Sequence, residues 1–170
     1  MRHTKNWIKS YLKLMTHTEP PEIFHKWVAI SCIASCMQRK CHIQWGRLMW
    51  YPNMYIVLTS PPGKARKGTA MEPIMRYLEE PLLNVKLAAE SITREKLINV
   101  LKNSADLYTL PDGTMVGHSS LTICNSELTV FLGYNNLQLI TDLTDWFDCK
   151  RKWKYTTKNS GEDDISGIWV

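Results

Sequence analysis

The strongest constraint on the fold is an apolar run that leads directly into a turn of small and basic residues. Residues 54–59, Met-Tyr-Ile-Val-Leu-Thr, predict a buried β-strand. Residues 60–63 then predict a turn, and Lys67 opens a segment with helical apolar spacing. A strand, a turn with exposed N–H groups and a helix N-terminus together suit a phosphate group. The sequence therefore predicts a phosphate-binding loop at residues 60–69.

The loop departs from the common pattern G-x-x-x-x-G-K-[ST]. Arg66 stands where a glycine precedes the lysine, and Gly68 separates Lys67 from Thr69. We expect backbone N–H groups to surround the β-phosphate of ATP, with Lys67 reaching the β and γ oxygens and Thr69 near Mg²⁺. A solvated Pro/Gly turn is an equally good interpretation of the pattern alone. The residues predicted to contact nucleotide are Pro62, Gly63, Lys64, Ala65, Arg66, Lys67, Gly68 and Thr69.

A second apolar run, residues 120–124, ends in Asn125, Ser126 and Glu127. A phosphate-loop ATPase needs a carboxylate beside the loop, to hold Mg²⁺ or to orient the attacking water. We therefore predict Glu127 and Lys67 as the catalytic residues. The metal-side aspartate of the usual Asp-Glu pair is missing, so Thr69, Asn125 and Glu127 are the candidate Mg²⁺ ligands. The alternative is that Ser126 and Glu127 only open a helix.

The remaining chain predicts alternating helices and strands. A helical lead-in and a β-hairpin occupy residues 1–50, and a partial nucleotide-binding core occupies residues 51–170. The alternation after residue 54 favours an α/β fold with a largely parallel sheet. Predicted helices cover residues 7–15, 21–38, 71–78, 94–103, 126–132 and 136–147, and later strands cover 153–157 and 165–170. The predicted inward face of the last helix is Leu137, Ile140, Leu143, Thr144 and Phe147.

Composition places few limits on function. The chain has 170 residues, a net charge of +5 and five cysteines, without a signal peptide or a stretch long enough to cross a membrane. These features predict a cytoplasmic protein with free thiols and no membrane partner. Cys32, Cys36, Cys41 and His42 lack the paired spacing of a metal site, so buried thiols are the favoured interpretation.

A basic segment with interleaved aromatic rings follows the last predicted helix. Lys150, Arg151, Lys152, Trp153 and Lys154, with Lys158 after them, have the composition of a single-strand nucleic-acid surface. Two alternatives are a solvated strand edge protected by lysines and an arginine finger at Arg151 directed at a neighbouring subunit.

Five landmarks occur in an order that resembles an uncharacterised P-loop NTPase family of phage and prophage proteins, related to primase–helicase proteins. The resemblance covers nearly the whole chain from about residue 20. The pieces are residues 24–31, 51–58, 61–63 with 66–70, 126–128 with 131–133, and 153–158 before Gly161.

The resemblance implies a RecA-like or AAA+-like core that binds ATP and Mg²⁺ in phage DNA replication within a bacterial host. It implies ATP contacts at Gly63, Lys67, Gly68 and Thr69, and an acidic residue at Glu127. Such proteins continue past the position of Val170, so we expect a homo-oligomer or a partner chain to supply missing elements. The alternative is a non-catalytic nucleic-acid-binding or assembly module with a degenerate phosphate loop.

Overall fold

A computed structural model describes residues 4–157 and 161–170 of the chain. Six α-helices are present in these residues, and their bounds agree closely with the sequence predictions. They are α1 (Trp7–Met15), α2 (Glu22–Met37), α3 (Lys67–Leu78), α4 (Arg94–Asn103), α5 (Leu128–Leu132) and α6 (Leu137–Phe147). Within the described part of the chain, no helix is long and apolar enough to cross a membrane.

The strands form three small sheets. β1 (Ile43–Trp45) and β2 (Leu48–Trp50) make the predicted hairpin, and β5 (Lys152–Thr157) and β6 (Gly161–Ser166) make another antiparallel pair. β3 (Ala105–Thr109) pairs antiparallel with β4 (Met115–Ser120), which pairs parallel with β7 (Ile168–Trp169). A further parallel bridge joins Leu87 to Thr122 just beyond β4. The parallel contacts are short, so the P-loop NTPase-like sheet stays a prediction.

Two large apolar clusters, with a smaller one at Ala34, Cys149 and Trp169, hold these elements together. In the first, α1 and α3 pack on α2, because apolar residues recur at helical spacing on each of them. The Asn6 side chain begins α1 by accepting a hydrogen bond from the Lys9 N–H at 3.0 Å. The second cluster joins α4, α5 and α6 to the strands through Leu97, Leu101, Leu121, Phe131, Leu139, Trp146 and Ile165.

Residues 54–59 do not form the predicted β-strand. Their burial alternates: Met54, Ile56 and Leu58 are half-buried, whereas Tyr55 and Val57 are exposed. This alternation is typical of a strand, but no neighbouring strand in the described residues pairs with this backbone. The prediction was wrong because an apolar run reports burial, whereas a strand also requires a partner for its hydrogen bonds.

The predicted inward face of α6 was also wrong. The buried residues of α6 are Leu139, Asp142 and Trp146, whereas Leu137 is 71% exposed and Phe147 is 48% exposed. Apolar residues lie on two faces of this helix, and spacing alone could not show which face meets the core. The acidic Asp142 belongs to the buried face because Arg94 pairs with it, at 2.6 Å between Nε and Oδ2.

Candidate functional site

Residues 61–66 form a turn that leads into α3. The Lys64 N–H donates to the Pro61 carbonyl at 3.4 Å, and Gly63 has a φ of +71°. Arg66, directly before the helix, also adopts a left-handed conformation with a φ of +44°. This conformation costs about 1–2 kcal/mol for a residue with a Cβ. Backbone strain of this kind clusters at ligand-binding segments, which marks the entry to α3 as a candidate site.

The N-terminus of α3 presents unpaired backbone donors. The first helical hydrogen bond runs from the Ala70 N–H to the Arg66 carbonyl at 3.2 Å. Among residues 4–157 and 161–170, no acceptor bonds the N–H groups of Lys67, Gly68 and Thr69. The first turn contains no acidic residue, so neither a capping side chain nor a carboxylate neutralises this end of the helix. Three free donors at the positive end of a helix dipole can bind an anion.

The cations of the loop have different roles. Arg66 forms an ion pair with Glu19, at 2.6 Å between Nε and Oε2, and both side chains are largely exposed. Such an exposed pair contributes little to stability, but it directs Arg66 toward the segment between α1 and α2. Lys64 and Lys67 form no ion pair with the described residues. They are therefore the two loop cations that remain for a bound anion.

The loop and Glu127 lie at the ends of segments that share one cluster. Leu58 precedes the loop by two residues, and Cys124 precedes Glu127 by three. Both pack against the cluster formed by α1, α2 and α3. The segments that lead to the loop and to Glu127 therefore pack on the same cluster, and the pairing of the loop with its carboxylate stays a prediction.

The predicted metal ligands are only partly free. The Glu127 carboxylate has no hydrogen-bond or ion-pair partner in the described residues, and Glu127 is exposed. Asn125 is engaged on both sides: its Oδ1 accepts from the Glu127 N–H at 2.9 Å, and its Nδ2 donates to the Glu90 carbonyl. Glu127, and not Ser126, is the residue that precedes α5. Thr69 and Glu127 can therefore offer oxygen to Mg²⁺, whereas Asn125 stabilises the turn.

Several side chains of the basic segment after α6 contact other parts of the fold, although the composition of the segment suits a nucleic-acid surface. The Trp153 ring is buried, at 5.6 Å from the Trp146 ring and 5.7 Å from the Tyr155 ring. Lys150 pairs with Asp145 at 2.8 Å, and Lys154 lies 3.9 Å from Asp164. Trp153 therefore cannot stack on a base in this conformation. Arg151 and Lys152 are exposed, and Lys158 lies outside the described residues.

The candidate metal ligands around residue 32 differ in their exposure. Cys32 is buried, Cys36 is half-buried and Cys41 is exposed, so the preference for buried thiols is confirmed for Cys32 and wrong for Cys41. A hydrogen bond from Cys32 lowers the pKa of Cys36 to about 7. The described residues contain no group of three or more histidine, cysteine or acidic side chains that could hold a metal.

Sequence reasoning missed two inward-facing cations, the buried Arg39 and the partly buried Arg94. Arg39 donates through Nη1 to the carbonyls of Cys149 and Ile168, both at 2.6 Å, and thereby ties the end of α2 to β7. Arg94 makes two hydrogen bonds to Asp142, at 2.6 and 3.2 Å. No sequence pattern distinguishes either residue from an exposed cation. Both have structural roles away from the loop.

No family model, curated protein or solved structure matches this chain at a significant level. The family resemblance is therefore a prediction, and the function is argued from the loop, the helix N-terminus and Glu127.

Proposed function

We propose that this chain binds ATP through residues 62–69 and belongs to a helicase-like replication ATPase of a phage or prophage. The observation that carries the proposal is the N-terminus of α3, where three backbone donors are free and the first turn contains no acidic residue. The Gly63 turn and two unpaired lysines surround the same donors. These are the elements that a nucleotide phosphate requires.

Each residue has a defined role in this proposal. The N–H groups of Lys67, Gly68 and Thr69 bind phosphate oxygens, and the Lys67 ammonium offsets charge on the β- and γ-phosphates. Glu127 orients a water molecule for in-line attack on the γ-phosphate. Bound Mg²⁺ would neutralise charge developing on the phosphate oxygens, and Thr69 and Glu127 are the oxygen donors available to it.

The proposed cellular location and partners are those that the family resemblance implies. A replication ATPase of this kind acts in the cytoplasm of a bacterial host and contacts single-stranded DNA. The exposed residues Arg151 and Lys152 are the part of the basic segment that can contact a DNA backbone. Such proteins work as homo-oligomers or with a partner chain that completes the ATPase. The second candidate, a nucleic-acid-binding module with a degenerate loop, has less support because Trp153 is buried.

Thermal unfolding with and without nucleotide tests the proposal. The unaltered chain should unfold at a higher temperature in millimolar ATP with Mg²⁺, because a ligand that binds only the folded state stabilises it. Lys67→Ala should abolish that increase, since it removes the ammonium that is proposed to offset charge on the phosphates.

Lys96→Ala is the matched control. Lys96 also lies in the first turn of a helix, but the Thr93 side chain caps that helix and Glu95 is beside it. Its loss should leave the ATP response unchanged. A chain whose unfolding temperature does not respond to ATP would disprove nucleotide binding. Binding of single-stranded DNA that weakens steeply with salt, without any ATP response, would favour the second candidate.

A further inference from the structure

The hairpin of β1 and β2 gathers four large apolar side chains on one face. Its two-residue turn has Gly46 at the first central position with a φ of +59°, as a tight hairpin turn requires. This turn fixes which residues of the two strands lie opposite each other. The pairs are Ile43 with Trp50 and Trp45 with Leu48. Opposite residues, and alternate residues of one strand, share a face, so these four residues form a single surface, the hairpin face.

The hairpin face is open to solvent. Trp45 is 78% exposed and Trp50 is 61% exposed, and Ile43 and Leu48 are exposed to a similar degree. Within residues 4–157 and 161–170, no other aromatic ring contacts either tryptophan. Single exposed apolar residues are common, but a contiguous group that includes two indole rings is typical of a binding surface.

The base of the hairpin is held by the fold. The Arg39 guanidinium, just before β1, lies 4.2 Å from the centre of the Tyr51 ring, just after β2. Arg39 also donates to the carbonyls of Cys149 and Ile168. The His42 ring lies 5.8 Å from the Tyr51 ring. Both ends of the hairpin are therefore fixed by one buried cation, so a ligand meets rings that are already in position.

The charge around the hairpin favours an anionic partner. Residues 23–71 contain seven lysine or arginine residues and no aspartate or glutamate. The whole chain has a net charge of +5, so the other residues together carry a net charge of −2. Arg47, in the turn, is exposed and forms no ion pair with the described residues. Lys40, before β1, lies close enough to Asp106 to help lower the pKa of that carboxyl, so Arg47 is the cation available to a ligand.

Exposed indole rings beside an unpaired cation are the elements of a site for single-stranded nucleic acid. Trp45 and Trp50 are diagonal neighbours on adjacent strands, with a separation of about 7–8 Å in such a pair. Sheets that recognise RNA stack two or three bases on aromatic rings of adjacent strands in this way. Every base has a face that can stack on an indole ring, and a nearby cation contacts the phosphates.

A protein or a bilayer fits the hairpin face less well. At their observed exposures the two indole rings present at most roughly 350 Å². Ile43 and Leu48 add less than the rings do, so the face stays below the roughly 800 Å² that each partner contributes to a standard protein interface. Insertion of the hairpin into a bilayer by its turn would bury the charge of Arg47, which is unfavourable. Two rings and one cation, by contrast, already form a complete platform for two nucleotides.

We propose that the hairpin face binds single-stranded nucleic acid, with one base stacked on Trp45, one on Trp50 and a phosphate beside Arg47. Ile43 and Leu48 provide apolar contacts to the sugars between them. This surface is different from the basic segment at residues 150–154, so the inference goes beyond the proposed function. Binding at the hairpin requires no ATP and is therefore tested separately from the phosphate loop.

Fluorescence anisotropy with the full chain and no ATP tests the proposal. The probes are a labelled oligothymidylate of about 12 nucleotides and an oligouridylate of the same length, whose relative affinities distinguish DNA from RNA. We expect saturable binding that weakens as salt increases. Trp45→Ala and Trp50→Ala should each weaken binding at least about fivefold, and Trp45→Phe, which keeps a ring, should weaken it less. A duplex of the same length should bind at least about tenfold more weakly, because its bases already stack on each other.

Three further variants locate the site. Tyr134→Ala is the matched control, because this ring is 96% exposed but lies outside the hairpin, and binding should be unchanged. Arg47→Ala should reduce the slope of log affinity against log salt by about 0.7, the value for one phosphate contact of a single strand. Lys67→Ala should leave oligonucleotide binding in place, so a failure of ATP binding is distinguishable from a failure of this inference.

The proposal is overturned if neither oligonucleotide binds at low salt or if both tryptophan variants bind as the unaltered chain does. It is also overturned if Arg151→Ala abolishes binding while Arg47→Ala has no effect, because the basic segment is then the site. Two results would identify another occupant of the hairpin face. They are a dimer of the chain that Trp45→Ala breaks, and binding to phosphatidylserine vesicles, without oligonucleotide binding, that Trp45→Ala abolishes.

Discussion

Replacing Gly68 tests the phosphate site without disturbing the core. Gly68 lies in the first turn of α3, is exposed, and has no heavy atom within 4 Å of the position that a Cβ would take. Gly68→Ala should stabilise the free protein by about 0.5–1 kcal/mol, because alanine loses less entropy in a helix. That corresponds to a rise in unfolding temperature of roughly 1–4 °C for a chain of this size. ATP binding should be retained, since the backbone N–H groups remain.

Gly68→Glu should raise the stability of the free protein and at the same time lower its affinity for ATP. In the free protein the carboxylate adds about 0.3–1 kcal/mol through the helix dipole, because no native acidic residue occupies this turn. The same charge opposes a phosphate. At a separation of about 6 Å and an effective dielectric of about 20, the repulsion is about 2.8 kcal/mol, or roughly 100-fold in affinity.

Titration calorimetry with ATP and Mg²⁺ measures this difference directly, with the alanine variant as the reference. We expect the glutamate variant to unfold at a temperature at least as high as the alanine variant and to bind ATP about 100-fold more weakly. Equal ATP affinities for the two variants would refute the assignment of phosphate to the N-terminus of α3.

Two further predictions concern the stability of the fold. Burial lowers the pKa of His25. Burial and the nearby charges of Lys40 and Arg39 also lower the pKa of His118. The unfolded chain therefore binds protons at these two histidines more readily than the folded chain does. Stability should therefore be complete above about pH 6.5 and fall below it by up to about 1.4 kcal/mol per histidine per pH unit, and urea titrations at pH 7.5 and 5.5 should detect this. Gly167→Ala should cost about 3 kcal/mol and lower the unfolding temperature by roughly 6–12 °C, because its Cβ would lie 2.6 Å from the Gly117 carbonyl oxygen at a φ of +61°. Gly46→Ala has a similar φ of +59° but open space around its Cβ, so a loss as large as that of Gly167→Ala would contradict the steric explanation.

Local signals in the sequence predicted the helices well. Apolar spacing predicted α1 and α4 at their observed bounds, and in the structure Thr93 caps α4 and Asn136 caps α6. The turn at residues 110–114 joins β3 to β4, and Asp112 and Gly113 favour such a turn. These features depend on residues close together in the chain, so the sequence contains the information directly.

The errors concern long-range partners. Residues 54–59 have the composition and alternating burial of a strand, but pairing depends on chain segments far away in sequence. The inward face of α6 depends on the buried Arg94–Asp142 pair, which joins residues 48 positions apart. For the candidate site, the small residues and prolines of residues 60–63 predicted a turn before α3. The hydrogen bond from Asn125 to Glu90 and the burial of Trp153 depend on tertiary contacts that no local pattern contains.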